Sequence, residues 1–185
     1  MKNVFLFFLL SLSAFLLLTG CGKERVSQTD NRSLMTRGKP VNPYYSRTDT
    51  AKLELPDSIW MNVLSTEVYR VARGKGTERA FSGKYWDFDG NGTYYCAACG
   101  NALFRSDAKF ASACGWPSFF EPVRKDGVSY ETDTSHGMVR TEVLCGRCGA
   151  HLGHVFDDGP PPDGRRFCMN SIVLDFEPAD EIEAR

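Results

Sequence analysis

Four of the seven cysteines fall into two identical spacings that are typical of a metal site. The units Cys96–Cys99 and Cys145–Cys148 each place two residues between the thiols and a glycine directly after them. This spacing lets both sulfurs of a unit face one ion, and the glycine allows a tight turn. Four thiolates close a tetrahedral site and leave no position for a substrate. The pattern therefore predicts one structural zinc ion, held by Cys96, Cys99, Cys145 and Cys148. Paired disulfides are the alternative in an oxidising compartment.

Cys168 has neighbours that could make its thiol reactive. Arg166 lies two positions before it and Asn170 two positions after it, so in a strand the three side chains would share one face. A nearby guanidinium favours the thiolate and lowers the pKa of the cysteine. His151 and His154 could supply a proton near neutral pH. The pattern indicates a thiol nucleophile, with a buried and inert cysteine as the alternative.

The elements that would carry these residues are mostly short strands. Helices are predicted to begin near Pro56 and to cover residues 66–73. Beyond Gly76, short aromatic and β-branched runs alternate with glycine, asparagine, aspartate and proline, and residues 138–144 and 171–176 have a period near two. The pattern predicts a mainly β domain over residues 51–185, with short helices at its N-terminal end.

The first 21 residues read as an export signal. Lys2 is followed by an almost wholly apolar run over residues 4–18, shorter than the ~20 residues of a membrane-spanning helix. The sequence Leu-Thr-Gly-Cys at 18–21 resembles the lipobox of bacterial lipoproteins. It predicts a signal peptide over residues 1–20 and a lipid on the Cys21 thiol. An uncleaved membrane anchor is the alternative.

The predicted lipid places the protein in the bacterial cell envelope. Gly22 is not the aspartate that favours retention in the inner membrane, so the outer membrane facing the periplasm is favoured in a cell with two membranes. Residues 22–50 are polar and without a clear period, and we expect a flexible tether from Cys21 to the domain, with an ordered extension packed on the domain as the alternative. The net charge of −1, from 22 basic and 23 acidic residues, gives no reason to expect a nucleic-acid partner.

Several motifs, taken together and in order, resemble the peptide methionine sulfoxide reductase B family. Besides the two cysteine units, they are Gly-Trp-Pro-Ser-Phe at 115–119, His-Leu-Gly-His-Val-Phe at 151–156, Asp-Gly-Pro at 158–160 and Arg-Phe-Cys-Met-Asn-Ser at 166–171. The resemblance covers about residues 57–178. It implies a fold of two antiparallel β-sheets with N-terminal helices.

The resemblance also implies a role for individual residues. Cys168 matches the nucleophile that attacks the sulfoxide sulfur, and Cys114 matches the recycling cysteine found in many members. His154 matches the residue that helps to protonate the departing oxygen. The polar shell around nucleophile and substrate would comprise His151, Arg166 and Asn170. The pocket positions would be Trp116, against the substrate methyl group, together with Phe156 and Asp158.

The implied reaction is the reduction of peptide or protein methionine (R)-sulfoxide. A thiolate is the soft nucleophile that sulfur needs, and an imidazole is an acid for oxygen. The resulting Cys168 sulfenic acid would condense with Cys114 to a disulfide, which a thioredoxin-like dithiol would reduce. We expect a monomer.

Two rival functions stay open at the level of sequence. One is an envelope binding module with a static Cys114–Cys168 disulfide, which would turn over no sulfoxide. The other is a different thiol enzyme, acting on peroxide or on mixed disulfides.

Overall fold

The computed structural model describes residues 41–183, in which the first regular elements are two short helices. Helix α1 (Asp57–Val63) and helix α2 (Thr66–Ala72) are separated by a sharp turn. The Ser65 hydroxyl caps α2 by accepting a hydrogen bond from the Val68 backbone N–H at 3.3 Å. A third helix, α3 (Ala179–Glu183), follows the last strand. None of the helices in this part of the chain is long and apolar enough to cross a membrane.

Nine strands in the described residues form two antiparallel sheets. The strands are β1 (Gly92–Cys96), β2 (Ala102–Arg105), β3 (Lys109–Phe110), β4 (Ser118–Phe119), β5 (Val128–Asp133), β6 (Arg140–Cys145), β7 (His151–Phe156), β8 (Arg166–Met169) and β9 (Leu174–Pro178). One sheet has three strands in the order β2-β1-β9, and the other has six in the order β3-β4-β8-β7-β6-β5. The predicted fold class, mainly β with two antiparallel sheets and short N-terminal helices, is confirmed.

The core contains aromatic side chains contributed by both sheets. Tyr94 and Phe104 of the three-stranded sheet are buried against Phe119 and Phe167 of the six-stranded sheet. The rings of Phe104 and Phe119 stack with centroids 4.4 Å apart, and Tyr94 meets Phe119 edge-on at 5.0 Å. Each such ring contributes ~2–3 kcal/mol from burial. This packing fixes β4 and β8, the strands that carry the candidate nucleophile and its neighbours.

The strand register aligns several chemically active residues in one row. Cys168 on β8 lies opposite Ser118 on β4 on one side and opposite His154 on β7 on the other. His154 in turn lies opposite Glu142 on β6. Because residues directly opposite one another in a sheet project from the same face, all four side chains belong to one surface of the six-stranded sheet.

The segment before α1 is part of the domain and not of a tether. We name residues 42–53 the N-terminal strap. The Asn42 amide donates to the Ala98 carbonyl at 2.8 Å, and the Ser46 backbone N–H donates to the Cys99 carbonyl at 3.0 Å. Within the tether expected over residues 22–50, the described part from residue 42 therefore packs on the domain expected from residue 51, and residues 22–40 lie outside the described residues. The predicted signal peptide and Cys21 lie outside the described residues.

The predicted strand at 171–176 starts later than expected. Residues 171–173 form a 3-10 turn, and β9 begins at Leu174. The carboxylate of Glu78 accepts the backbone N–H groups of Ser171 and Ile172, the latter at 3.0 Å. The backbone N–H groups of Ser171 and Ile172 thus donate to Glu78, more than 90 residues away, and not to a neighbouring strand. Sequence periodicity does not report such a contact.

Candidate active site and metal centre

Each Cys-x-x-Cys unit occupies the turn of an antiparallel hairpin, the first between β1 and β2 and the second between β6 and β7. The two turns are built alike. The Gly100 N–H donates to the Cys96 carbonyl at 2.7 Å, and the Gly149 N–H donates to the Cys145 carbonyl at 2.8 Å. Both glycines have positive φ, 78° and 68°, which explains why glycine follows each unit. The two hairpins belong to different sheets, so this cysteine cluster joins the two sheets.

The four sulfurs of the units form one compact, buried cluster. All four lie within 4.8 Å of one another, with Cys96–Cys148 at 3.8 Å and Cys99–Cys145 at 3.6 Å. A tetrahedral ion with sulfur ligands at about 2.3 Å requires sulfur–sulfur separations of about 3.8 Å. A disulfide would require about 2.05 Å. The geometry and the donor set fit a single metal ion and do not support the alternative of paired disulfides.

Arg147, inside the second unit, holds the cluster and the N-terminal strap together. Its buried guanidinium donates to the Cys99 carbonyl of the first unit and to the carbonyls of Tyr44 at 3.0 Å and Ala51 at 3.1 Å. It also forms an ion pair with Asp49 at 2.7 Å. Five N–H donors on a rigid plane suit such a junction of backbone carbonyls.

Cys168 and Cys114 form a second, separate thiol group. Cys168 is on β8 and Cys114 is in the loop between β3 and β4, with their sulfurs 3.6 Å apart. Both side chains are partly accessible, and both cysteines are in the free thiol form. The Ser112 hydroxyl is 2.9 Å from the Cys114 sulfur, and the Ser118 hydroxyl is 3.5 Å from it. The pair is close enough to form a disulfide after a movement of about 1.5 Å.

The two thiols differ in acidity. Burial, together with the neighbouring Cys114, raises the pKa of Cys168 to about 12. Arg166 acts in the lowering direction, as expected from sequence, but burial outweighs it, so the expected lowered pKa of Cys168 is not found. Burial also opposes ionisation of Cys114, yet hydrogen bonds from Ser112 and Ser118 outweigh that effect and lower its pKa. In the reduced pair, Cys114 is therefore the more acidic thiol and Cys168 holds its proton.

The charge of Arg166 is shared with an acidic partner. Its Nε and Nη2 donate to the two carboxylate oxygens of Asp158 at 2.9 and 2.8 Å. Its guanidinium carbon also lies 4.7 Å from the centre of the Phe156 ring. This bidentate pairing lowers the pKa of Asp158, and it explains the limited influence of Arg166 on Cys168. The structure thus brings Arg166, Phe156 and Asp158 together, two residues along β8 from the Cys168 thiol.

The two histidines each bind a carboxylate. His151 Nδ1 is 2.6 Å from the Oε1 of Glu142, and His154 Nε2 is 2.8 Å from the Oδ2 of Asp133. The ring centroids of the two histidines are 5.5 Å apart. Burial lowers the pKa of His151, although Glu142 acts in the opposite direction.

Trp116 and Asn170 take different positions around the thiols. Trp116 is in the Cys114 loop, where its carbonyl accepts hydrogen bonds from the Cys114 thiol at 3.5 Å and the Ser118 hydroxyl at 3.4 Å. Asn170 follows the end of β8, and its buried amide donates to the Leu152 carbonyl at 3.1 Å. The amide oxygen of Asn170 accepts the backbone N–H of Glu78 at 2.9 Å. Asn170 thus anchors the chain around the site.

Several residues that complete the site were not assigned a role from sequence. They surround the thiols and the histidines: Lys75, Ser112, Ser118, Asp133, Arg140 and Glu142. Ser118 stands within the Gly-Trp-Pro-Ser-Phe motif, which offered a signal. Glu142 shares the polar face of an alternating strand, and that pattern alone does not distinguish a buried carboxylate from an exposed one.

Known proteins resemble most of this domain. Residues 64–178 match the family model described as the SelR domain. Over 124 residues, which are 67% of this chain and 94% of the relative, the chain is 60% identical to "Peptide methionine sulfoxide reductase MsrB" from Thiobacillus denitrificans. It is 54% identical over 129 residues, 70% of this chain and 93% of the relative, to the protein of the same name from Hahella chejuensis. The chain therefore belongs to the peptide methionine sulfoxide reductase MsrB family of oxidoreductases.

Proposed function

We propose that the chain reduces the (R)-sulfoxide of methionine in peptides and proteins, with Cys168 as the nucleophile and Cys114 as the recycling thiol. One observation carries the proposal: the two free sulfurs lie 3.6 Å apart at a partly accessible position, outside the metal cluster. The family relationship supplies the class of substrate, because the relatives are peptide methionine sulfoxide reductases by name.

In the first step, the Cys168 sulfur attacks the sulfoxide sulfur. The thiol proton passes to the sulfoxide oxygen, with His154, opposite Cys168 in the sheet, as the group that transfers it. The sulfur–oxygen bond of the substrate breaks, methionine leaves, and the hydroxyl ends on Cys168 as a sulfenic acid. The two electrons that reduce the sulfoxide come from the Cys168 sulfur.

In the second step, the Cys114 thiolate attacks the Cys168 sulfenic acid. A disulfide forms, and the hydroxyl leaves as water after taking one proton. The lowered pKa of Cys114 favours this step, since the thiolate is the attacking form. An external dithiol, of the thioredoxin class, then reduces the disulfide by exchange and restores both thiols.

The surrounding residues would bind and orient the substrate. Trp116 would pack on the methyl group, and Arg166, Phe156 and Asp158 would border the pocket beside Cys168. His151 and Asn170 would hold the polar shell. The Asn170 contacts to Leu152 and Glu78 favour an indirect role, in which the side chain keeps the nucleophile's strand in place.

We further propose that zinc is the ion of the four-cysteine cluster. Four buried thiolates at tetrahedral spacing suit zinc and leave no open position. When bound, the ion would supply cross-linking of the two sheets and no chemistry on the substrate. For the rest of the chain, we propose lipid attachment at Cys21, residence in the bacterial cell envelope, most favourably at the outer membrane facing the periplasm, and a monomeric state.

The test is a turnover assay on the chain from residue 22, with dithiothreitol and the separated R and S epimers of a blocked methionine sulfoxide. We expect reduction of the R epimer alone, and none by Cys168→Ser. If the folded, metal-loaded protein reduces neither epimer, the binding module becomes the better hypothesis. Consumption of peroxide in preference to sulfoxide would favour the other thiol enzyme.

A further inference from the structure

His151 is the inner member of a chain of three ionisable side chains that the proposed reaction steps do not use. One carboxylate oxygen of Glu142 lies 2.6 Å from His151 Nδ1, and the other lies 2.7 Å from Lys75 Nζ. The side chains of Glu142 and His151 are each only 3% exposed, whereas that of Lys75 is 58% exposed. Lys75 comes from the loop after α2 and is the solvent-exposed end of this series of three side chains.

These contacts determine where His151 carries its proton. The Lys75 ammonium donates to one carboxylate oxygen of Glu142, and a carboxylate only accepts hydrogen bonds. Nδ1 of His151 must therefore carry a proton, and in the neutral ring Nε2 then has a free lone pair. A buried carboxylate that fixes a histidine tautomer in this way is a known device of enzyme sites.

The neighbouring His154 has a similar partner but a more open position. Asp133 accepts from His154 Nε2 at 2.8 Å and pairs with Arg140 at 2.6 Å. The His154 side chain is 12% exposed, against 3% for His151. With ring centroids 5.5 Å apart, the two imidazoles disfavour each other's positive charge. The more buried ring, His151, has the larger desolvation cost for a positive charge.

Burial and two of the three neighbouring charged groups act on His151 in the same direction. Burial lowers the pKa of His151 the most; Glu142 raises it, and the charges of His154 and Lys75 lower it further. These groups line a cavity of about 200 Å³. Its lining consists almost entirely of polar and charged side chains: Lys75, Thr77, Asp133, Ser135, His136, Arg140, Glu142, His151 and His154. A cavity of this size and polarity can hold water that connects the two rings.

We propose that Lys75 and Glu142 are positioning residues of the reductase site. They hold His151 as a neutral imidazole with its proton on Nδ1, and so leave His154 as the histidine that carries the reaction's proton. This division of roles rests on the proposed sulfoxide reduction. The tautomer and the charge of each histidine ring can be measured without catalytic turnover.

The first test is nitrogen NMR on the full-length chain, purified in detergent with ¹⁵N-labelled histidine. The chain has only three histidines, so each ring can be assigned. We expect His151 to be neutral and protonated at Nδ1 at pH 6.5, where an ordinary histidine is half-protonated. A half-protonated His151, or a proton on Nε2, would overturn the proposal.

The second test changes the exposed end of the chain of charges. Lys75→Met should let His151 titrate at higher pH than in the wild type, because the substitution removes a nearby positive charge. Lys75→Arg should retain the wild-type titration. Lys125→Met, which removes an exposed lysine elsewhere, is the control and should change nothing. An unchanged His151 titration in Lys75→Met would contradict the role of Lys75.

The third test connects the charges to the reaction. Glu142→Gln should lower the rate of a single turnover with methionine (R)-sulfoxide by roughly tenfold or more. If Glu142 acts through His151, the same substitution should add no further loss in a His151→Gln background. Losses that multiply in the double variant would indicate a merely structural role for Glu142. Wild-type protein that reduces no sulfoxide would disprove the proposed function, while the NMR results would still decide the tautomer.

Discussion

The molecule contains two groups of cysteines with nearly the same sulfur spacing and opposite properties. In the metal cluster the close pairs are 3.6 and 3.8 Å apart, and between Cys114 and Cys168 the distance is 3.6 Å. The cluster is four sulfurs buried between two hairpin turns. The second group is two sulfurs between a strand and a loop, partly accessible and within reach of two serine hydroxyls and an arginine.

The difference shows that the surroundings, and not the distance between sulfurs, decide what a group of thiols does. Four donors on rigid turns satisfy an ion completely and exclude a substrate. Two thiols without an ion keep their sulfur lone pairs available for reaction. The serine hydroxyls make Cys114 the more acidic of the two. The predictions below separate the two groups experimentally.

The largest effect is expected from a change to the metal cluster. Cys145→Ser should release the ion and unfold the domain, because a structural zinc site contributes ~10–16 kcal/mol and a domain's whole stability is ~5–15 kcal/mol. Metal analysis and circular dichroism would measure both losses. A folded, active Cys145→Ser protein would show that the cluster does not hold the sheets together.

A change to the proposed nucleophile should remove activity and leave the fold intact. Cys168→Ser should lower sulfoxide reduction by more than about a thousandfold, because a serine hydroxyl is a far weaker nucleophile for sulfur. The metal content and the melting temperature should match those of the wild type. Residual activity within tenfold of the wild type would assign the nucleophile to another residue.

A change to Cys114, the proposed recycling thiol, should separate the first turnover from the later ones. Cys114→Ser should form one methionine per protein in a single turnover, because Cys168 is intact, and then stop in a thioredoxin-driven assay. Quenched-flow product counts would show the first turnover. Normal cycling of Cys114→Ser with thioredoxin would mean that Cys114 is not required for recycling.

A smaller effect is expected at the junction of the N-terminal strap and the metal cluster. Arg147→Met should lower the free energy of unfolding by about 2–4 kcal/mol, since buried carbonyls lose charged donors. Arg147→Lys, which keeps the charge but not the planar fork, should recover only part of this loss. Denaturant unfolding measures both variants. Equal stability of Arg147→Met and wild type would show that the strap adds nothing to the fold.

The smallest effect concerns the order in which the two free thiols react. Cys114 has the lowered pKa and the pKa of Cys168 is raised to about 12, so raising the pH from 6 should expose the Cys114 thiolate first. Iodoacetamide at pH 8 should therefore label Cys114 ahead of Cys168, as peptide mass spectrometry can measure. Preferential labelling of Cys168 would reverse the assignment of acidity.

Local spacing explains which features could be predicted from sequence. The Cys-x-x-Cys-Gly units determine their own turns. Arg166 and Cys168 are two positions apart on β8, so strand geometry places them on the same face. The family motifs then led to Cys114 and to the two-sheet fold. These features depend on contacts between residues close in sequence, or on the motif pattern of a known family.

Long-range contacts explain what could not be predicted. Asn42 and Arg47 look like tether residues, yet their partners Ala98 and Asp175 are 56 and 128 positions away. Contrary to the expectation from sequence, Arg166 does not lower the pKa of Cys168 overall. Burial and the competing Asp158 carboxylate outweigh it, and both depend on the tertiary structure. Glu142 is chemically ordinary until the register places it beside His151.

One measurement tests the separation of the two cysteine groups most directly. The reduced, metal-loaded chain from residue 22 would receive one equivalent of methionine (R)-sulfoxide without reductant, followed by metal analysis and disulfide mapping. We expect one methionine per protein, a Cys114–Cys168 disulfide, and no loss of metal. Release of the ion, or a disulfide that involves any of the four clustered cysteines, would contradict the assignment of separate structural and redox roles.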